Sequence, residues 1–182
     1  MPDTVPMSAW KASLVVGNPK LGSRTRDVGV AVARACAAHV GAPDVHVQVI
    51  ELGDLTSSLF GWGDPAVAAA KAQVLDSSLI VVASPVYKAS YTGLLKAFLD
   101  QFGQDELAAR AVVPVMVGAG PAHALAVETQ LRPVLVEIGA SCPTRGLYVL
   151  ESQVSDLEEP LAAWLAVWGE ALGAVVACRR PG

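Results

Sequence analysis

Hydrophobic residues alternate along the chain between two patterns. Short runs of consecutive apolar residues predict strands covered on both faces, as in a parallel sheet. Apolar residues spaced three or four apart predict amphipathic helices between them. The predicted strands are 12–17, 45–50, 79–83, 112–117 and 146–150. The predicted helices are 27–39, 66–75, 91–100, 122–138 and 157–178.

This alternation, without an internal repeat or a linker, predicts a single α/β domain over residues 1–182. The expected architecture is one five-stranded parallel sheet with helices on both faces. Segment 45–50 differs from the other strands because its apolar and polar residues alternate strictly, which indicates one less buried face. We therefore place it at a sheet edge, which matches the flavodoxin-like strand order 2-1-3-4-5.

Three prolines bear on these elements. Ser84 and Pro85 are expected to end the third strand, because proline suits a strand exit. Pro114 lies inside the fourth strand, where it lacks a ladder N–H, so we expect a bulge or an unpaired position there. Pro133 lies inside the fourth helix and should kink it or make its hydrogen bonding irregular.

Composition adds constraints on partners and compartment. Hydrophobic residues are 53% and charged residues 16%, so apolar surface exceeds what one globule buries and favours an oligomer. The net charge of −4, without a basic cluster, gives no support for nucleic-acid binding. Cys36, Cys142 and Cys178 form neither a metal pattern nor an even disulfide set. With no apolar leader before the first strand, the sequence favours a cytoplasmic protein with reduced thiols.

The most membrane-like segment is 161–178. Glu170 interrupts it, and the segment is rich in alanine and glycine. We expect a packed amphipathic helix rather than a membrane span, because a span requires about 20 strongly apolar residues. Its apolar residues follow helical spacing: Leu161, Trp164, Leu165, Trp168, Leu172 and Val175.

The first strand is followed by the loop GNPKLGSRT, a candidate phosphate site. Gly17 and Gly22 have the spacing of a Walker A loop, but Ser23 replaces its lysine, which argues against nucleoside triphosphate hydrolysis. No G-x-G-x-x-G dinucleotide fingerprint follows the strand either. The cations and hydroxyls at this helix N-terminus still favour an anion: Lys20, Ser23, Arg24 and Thr25. The simpler alternative is that Ser23 caps the helix and the basic residues are exposed.

Two further loops follow predicted strands and should reach the same sheet edge, because right-handed crossovers place every strand-to-helix loop there. One contains Pro85, Val86, Tyr87 and Lys88, and the other contains Gly118, Ala119, Gly120 and His123. Taken singly, Tyr87, Lys88 and His123 are more simply explained as surface residues. Together, the three loops suit a planar ligand with a phosphate tail, and FMN has that shape.

Three segments carry a family resemblance: GNPKLGSRT, ASPVYKASYTGLLKAFLDQF and VVPVMVGAGPAHALAVETQLRPVL. They resemble the NAD(P)H-dependent FMN reductases of the flavodoxin-like superfamily. The closest likeness is to the reductases that supply reduced flavin to two-component alkanesulfonate monooxygenases. The resemblance runs over residues 14–153, and SPVYKASYTGLLK is its most specific part.

The resemblance implies hydride transfer from nicotinamide C4 to flavin N5, with no catalytic acid or base. It implies that the first loop holds the FMN phosphate, the second lines the ribityl chain and ring, and the third passes close to the ring. His123 matches a family histidine without an assigned role. The implied flavin-binding residues are Lys20, Ser23, Arg24, Thr25, Pro85, Val86, Tyr87, Lys88, Gly118, Ala119, Gly120 and His123.

The chain departs from the family pattern at two positions. Lys20 stands where an arginine is usual, which loses bidentate phosphate geometry but keeps the charge. Thr129 stands where the sulfonate-system reductases carry an inserted aromatic residue in an irregular helix. That aromatic belongs to reductases that release their flavin, so both released and tightly bound FMN stay open.

One favoured function and two alternatives therefore follow. The first is an NAD(P)H:FMN reductase, with a monooxygenase as a partner. The second keeps FMN bound and reduces quinones, azo dyes or metal oxyanions. The third is a flavodoxin-type electron carrier, which the mild net charge disfavours. The resemblance also implies a homodimer or homotetramer built through the irregular helix. The apolar segment 122–138 and the pair Trp164 and Trp168 agree with such an assembly.

Overall fold

The computed structural model describes residues 10–178. Its sheet is parallel throughout and has the order β2-β1-β3-β4-β5. The strands are β1 (Ala12–Val16), β2 (Val47–Glu51), β3 (Leu79–Pro85), β4 (Ala111–Gly118) and β5 (Leu147–Leu150). The predicted flavodoxin-like order is confirmed, with the alternating strand β2 at an edge.

Helices cover both faces of this sheet. They are α1 (Arg24–His39), α2 (Pro65–Leu75), α3 (Gly93–Leu99), α4 (Arg132–Glu137) and α5 (Glu158–Ala177). One core layer contains side chains of α1 and α5, and the opposite layer contains those of α2, α3 and α4. Because both faces are covered, β1 and β4 are buried along their whole length, which explains their continuous apolar runs.

Several boundaries differ from the predictions. Helix α1 begins at Arg24 rather than at 27. The Ser23 hydroxyl accepts a hydrogen bond from the Arg26 amide and thereby caps the helix. The third strand does end at Pro85, as expected, but it includes Ser84 and Pro85 and is therefore longer than the predicted 79–83. The ladder between β3 and β4 continues to Pro85, which lies opposite Val117.

Pro114 fits into β4 without a bulge. Its register with β3 is continuous, and Pro114 lies opposite Val82. The amide of Val112 donates to the Ser141 carbonyl on the other side of β4. Alternate residues of a strand direct their amides the same way, so the missing N–H of Pro114 is also on that side. Pairing with β5 starts only at Val115, so the proline occupies the predicted unpaired position.

The predicted helix 122–138 is divided into three parts. A single 3₁₀ turn spans Pro121–His123, a π-helix spans Val127–Leu131, and α4 follows directly. Pro133 lies in the first turn of α4. Because proline has no backbone N–H, it cannot donate a hydrogen bond to a carbonyl of the preceding turn. The predicted irregular hydrogen bonding is therefore confirmed, and it takes the form of a wider helical turn.

Helix α5 packs as the predicted amphipathic helix. By length and composition alone, α5 could cross a membrane, and it is the only helix within residues 10–178 that could. Its buried residues, however, recur at intervals of three or four and pack toward α1 and the sheet: Leu161, Leu165, Gly169, Leu172 and Val176. Trp164 is half-buried and its indole N–H donates to the Arg145 carbonyl, so the chain itself covers part of the tryptophan pair.

Candidate functional site

The three predicted loops meet at one edge of the sheet. They follow β1, β3 and β4, which are neighbours in the strand order, and parallel strands end on the same side. Two hydrogen bonds join the segments that carry them. The Thr92 hydroxyl donates to the Gly17 carbonyl at 2.6 Å, and the Val86 amide donates to the Val117 carbonyl at 2.8 Å. The site is therefore built from segments fixed to one another.

The first loop presents hydroxyls and the first backbone amides of α1. Ser23 and Thr25 are buried, whereas Lys20 is exposed. Asn18, which the sequence analysis missed, shapes the loop, because its side chain accepts from the Lys20 amide and donates to the Thr25 hydroxyl. The first amides of a helix have no partner within it and carry the positive end of its dipole. The capping role of Ser23 is thus present without removing the features that favour an anion.

A carboxylate from a different strand holds this loop. Glu51, at the end of β2, accepts from the Gly22 amide at 2.9 Å and from the Arg26 guanidinium at 3.1 Å. Its side chain is mostly buried. No local pattern marks Glu51, since its partners lie in another part of the sequence. Its position shows that the first loop is anchored on the β2 side.

The second loop contains a tight turn with unusual backbone geometry. Tyr87 and Ser90 exchange two backbone hydrogen bonds, at 2.8 and 3.1 Å. The two residues between them, Lys88 and Ala89, have φ values of 51° and 65°. A turn of this kind favours Asn-Gly, because side chains in the left-handed region cost about 1–2 kcal/mol each. The strained turn exposes Tyr87 and Lys88 at the site, where backbone strain commonly has a functional role.

A hydroxyl network holds the strained turn in place. The Ser84 hydroxyl accepts from the Thr92 amide at 3.1 Å and donates to the Pro85 carbonyl at 2.9 Å. The Thr92 hydroxyl also accepts from the Leu95 amide, which caps α3. Ser84 and Thr92 are both buried. Neither was predicted as a site residue, although Thr92 precedes a helix and has a residue type favoured at caps.

The third loop requires glycine because a tyrosine lies directly against it. A Cβ atom on Gly118 would be 2.0 Å from the Tyr148 hydroxyl oxygen. That hydroxyl donates to the Gly120 carbonyl at 2.5 Å, so β5 supports the loop. Burial raises the pKa of Tyr148, which keeps it protonated as a donor. His123 is exposed in the 3₁₀ turn that follows.

Arg24 extends from the first loop toward the end of β5. Its guanidinium pairs with the Glu151 carboxylate at 2.8 Å, and both side chains are largely exposed. Ala119, from the third loop, lies in the same cleft as this pair. Of the two cations predicted to hold a phosphate, Arg24 therefore already has a carboxylate partner.

The π-helix beside the third loop is fixed by a charged network. The Glu128 carboxylate accepts from the Arg132 guanidinium at 2.6 Å and from the Gly146 amide at 2.5 Å. Arg132 also donates to the carbonyls of Cys142 and Thr144. Thr129 is exposed, and its hydroxyl donates to the carbonyl of Leu125, which lies in the turn before the π-helix. The network ties the irregular helix to the segment before β5.

The donor set of this edge fits a phosphorylated flavin. Buried hydroxyls and helix amides favour a phosphate in the first loop. Tyr87 offers an aromatic surface, and the small residues of the third loop leave room for a flat ring to approach the backbone. The described residues contain no group of three or more His, Cys, Asp or Glu side chains arranged to hold a metal ion.

Comparison with known proteins gives the same family over most of the chain. The family model described as "NADPH-dependent FMN reductase" matches residues 10–155. The FMN reductase (NADPH) of Escherichia coli K12 is 38% identical over 95 residues, which cover 52% of this chain and only half of that relative. The FMN reductase (NADPH) of Pseudomonas aeruginosa PAO1 is 32% identical over 172 residues, which cover 90% of each chain.

A solved structure agrees with these sequence matches. The apo form of an NADH:FMN oxidoreductase (EmoB) superposes with a TM-score of 0.76 at 31% identity, covering 95% of this chain and 91% of that one. The resemblance inferred from the three sequence segments is thereby confirmed. The chain belongs to the NADPH-dependent FMN reductase family.

Proposed function

We propose that this protein catalyses the oxidation of NADH or NADPH by FMN, releasing reduced flavin. The observation that carries the proposal is the meeting of a phosphate-type loop, an exposed aromatic turn and a glycine-containing loop at one sheet edge. In this reaction a hydride passes from nicotinamide C4 to flavin N5, and a solvent proton completes the reduced flavin. The two rings supply this chemistry, and the protein supplies binding and alignment.

The chain's own residues have distinct roles in this proposal. Lys20, Ser23, Arg24 and Thr25, with the first amides of α1, hold the phosphate. Pro85, Val86, Tyr87 and Lys88 line the ribityl chain and one side of the ring. Gly118, Ala119 and Gly120 bring backbone close to the ring, and His123 lies at the outer rim without an assigned role. No acid or base is required, since hydride transfer depends on the distance and stacking of two rings.

The first test is steady-state oxidation of NADH and NADPH, followed by absorbance, with FMN varied from none to excess. We expect a rate that saturates with added FMN. Absence of oxidation of either nucleotide would contradict the proposal and leave a flavin-binding carrier. A rate that is independent of added FMN but requires a quinone or dye would indicate tightly bound flavin instead.

That last outcome represents the second candidate function, an FMN-bound reductase of quinones, azo dyes or metal oxyanions. Thr129 favours it, because this threonine is exposed in the π-helix. The family resemblance implies an aromatic side chain at this position in reductases that release their flavin. Gel filtration of protein loaded with FMN separates the two proposals. Flavin that elutes with the protein supports the second candidate, and flavin that elutes separately supports release to a partner monooxygenase.

The phosphate assignment is tested by comparing FMN with riboflavin, which lacks the phosphate. We expect Lys20→Gln to raise KM for FMN about tenfold, equivalent to about 1.4 kcal/mol, without changing KM for riboflavin. The control is Lys11→Gln, an equal charge change at the opposite end of β1. Equal effects on both flavins, or from both variants, would contradict the assignment.

A further inference from the structure

A second opening adjoins the proposed flavin site. It is a cleft of about 610 Å³ between the start of α1, the third loop and the segment that follows β5. Its lining residues are Arg24, Ala119, Glu151, Ser152, Val154 and Ser155. Arg24 and Ala119 also belong to the loops assigned to the flavin. A molecule in this cleft would therefore share Arg24 with the flavin phosphate and lie next to the flavin.

The charged pair in this cleft is positioned to contact a ligand. Arg24 and Glu151 are joined at 2.8 Å, and their side chains are 67% and 47% exposed. An exposed pair of this kind contributes little to stability, so either partner can exchange for a ligand group at small cost. Ser152 and Ser155 line the same cleft. The lining thus offers a carboxylate acceptor and hydroxyls, the groups that bind a sugar.

The proposed reaction requires a second nucleotide whose nicotinamide reaches the flavin ring. Its adenosine half must then occupy neighbouring surface, and the volume of the cleft is in the range of small-molecule sites. In Rossmann-fold dinucleotide sites, an acidic side chain accepts from the ribose 2′-hydroxyl of NAD, whereas an arginine accommodates the 2′-phosphate of NADP. The same charges discriminate between the two nucleotides on any fold. Here the arginine is already neutralised by the acidic residue.

We infer that this cleft receives the adenosine ribose of the reduced dinucleotide, with Glu151 as the acceptor for its 2′-hydroxyl, and that the Arg24–Glu151 pair selects NADH over NADPH. This inference rests on the proposed reaction. A 2′-phosphate entering the cleft meets the Glu151 carboxylate, which repels it and competes with it for Arg24. Loss of the carboxylate charge removes the repulsion and leaves the N–H donors of Arg24 to be shared between the flavin phosphate and the 2′-phosphate.

The test is Glu151→Gln, with kcat/KM measured for both nucleotides at saturating FMN. We expect the kcat/KM for NADPH, divided by the kcat/KM for NADH, to rise about tenfold. The matched control is Asp156→Asn, which makes the same charge change at an exposed position of the same segment, outside the cleft. A ratio within about twofold of the wild type in Glu151→Gln, or an equal rise in Asp156→Asn, would overturn the inference.

A binding measurement separates this inference from the proposed reaction. Calorimetric titration of protein saturated with FMN, which occupies the first loop, uses 5′-AMP and adenosine 2′,5′-bisphosphate as probes. We expect the wild type to prefer 5′-AMP and Glu151→Gln to shift the preference about tenfold toward the bisphosphate. An unchanged preference overturns the inference even if the enzyme oxidises NADH. Failure of NADH and NADPH oxidation, with the preference shifted as expected, contradicts the proposed reaction and still supports an adenosine site.

Discussion

Thr92 connects three elements of the site through a single buried side chain. Its hydroxyl donates to the Gly17 carbonyl at 2.6 Å and accepts from the Leu95 amide at 3.1 Å, while its own amide donates to the Ser84 hydroxyl. Thr92 is 3% exposed, so water cannot replace these partners. The substitution Thr92→Val keeps the shape of the side chain and removes both hydroxyl interactions.

The expected loss of stability follows from these contacts. Loss of a helix N-cap costs about 1 kcal/mol, and a buried carbonyl left without a partner costs about 1–3 kcal/mol. Together they predict about 2–4 kcal/mol for Thr92→Val, or a fall in Tm of about 4–16 °C for a domain of this size. Thr92→Ser keeps the hydroxyl and loses one methyl group, which costs about 1 kcal/mol.

Urea unfolding of the wild type and both variants measures these differences. The variant Thr92→Val should also raise KM for FMN, because the first loop and the strained turn lose their shared anchor. Thr92→Ser should leave that KM near the wild-type value. If Thr92→Val were no less stable than Thr92→Ser, the two hydrogen bonds would not carry the energy assigned to them, and the reasoning would be refuted.

Three further changes test other contacts. Gly118→Ala places a Cβ atom against the Tyr148 hydroxyl, so urea unfolding should show a loss of stability of about 2–3 kcal/mol. This loss should shrink in a Tyr148→Ala background, and an equal loss in both backgrounds would contradict the contact. Ala89→Gly relieves a left-handed residue and should stabilise the protein by about 1 kcal/mol in thermal unfolding; destabilisation would contradict that geometry. Burial alone would raise the pKa of Glu128, but hydrogen bonds from Arg132 and an adjacent amide lower it overall. The stability lost in Glu128→Gln should therefore be constant at pH values above the unfolded-state pKa of about 4.3, and it should shrink as the pH falls below that value. A loss of stability that does not depend on pH would contradict the lowered pKa of Glu128.

The sheet was predictable because burial leaves a strong pattern in each strand. Strands β1, β3 and β4 are covered on both faces and need continuous apolar runs, whereas β2 alternates because it lies at an edge. The first residue of α1 was harder to predict from hydrophobic periodicity. Its first turn is Arg-Thr-Arg, and hydrophobic periodicity begins only farther along, so the helical start depends on the Ser23 cap.

The loops of the candidate site could be predicted from the sequence, but the residues that hold these loops in place could not. A loop that follows a buried parallel strand must reach the ligand-binding edge, so its residues can be proposed from sequence order. Glu51, Tyr148 and Glu151 act through partners far away in the sequence, and hydrogen bonds of that kind have no periodic signature. The same holds for Gly118, whose small size is required by the ring of Tyr148.

The two halves of the proposed site differ in how firmly they are held. The loops assigned to the flavin are fixed by buried hydrogen bonds from Thr92 and by the partly buried Tyr148, so their geometry exists before any ligand binds. The cleft assigned to the nucleotide is bridged by an exposed pair, Arg24 and Glu151, whose partners can exchange. Ring alignment needs a rigid support, while discrimination between two nucleotides needs charges that respond to the ligand. Substitutions at Glu151 should therefore change nucleotide preference at little cost in stability, whereas substitutions at Thr92 should change stability and flavin binding together.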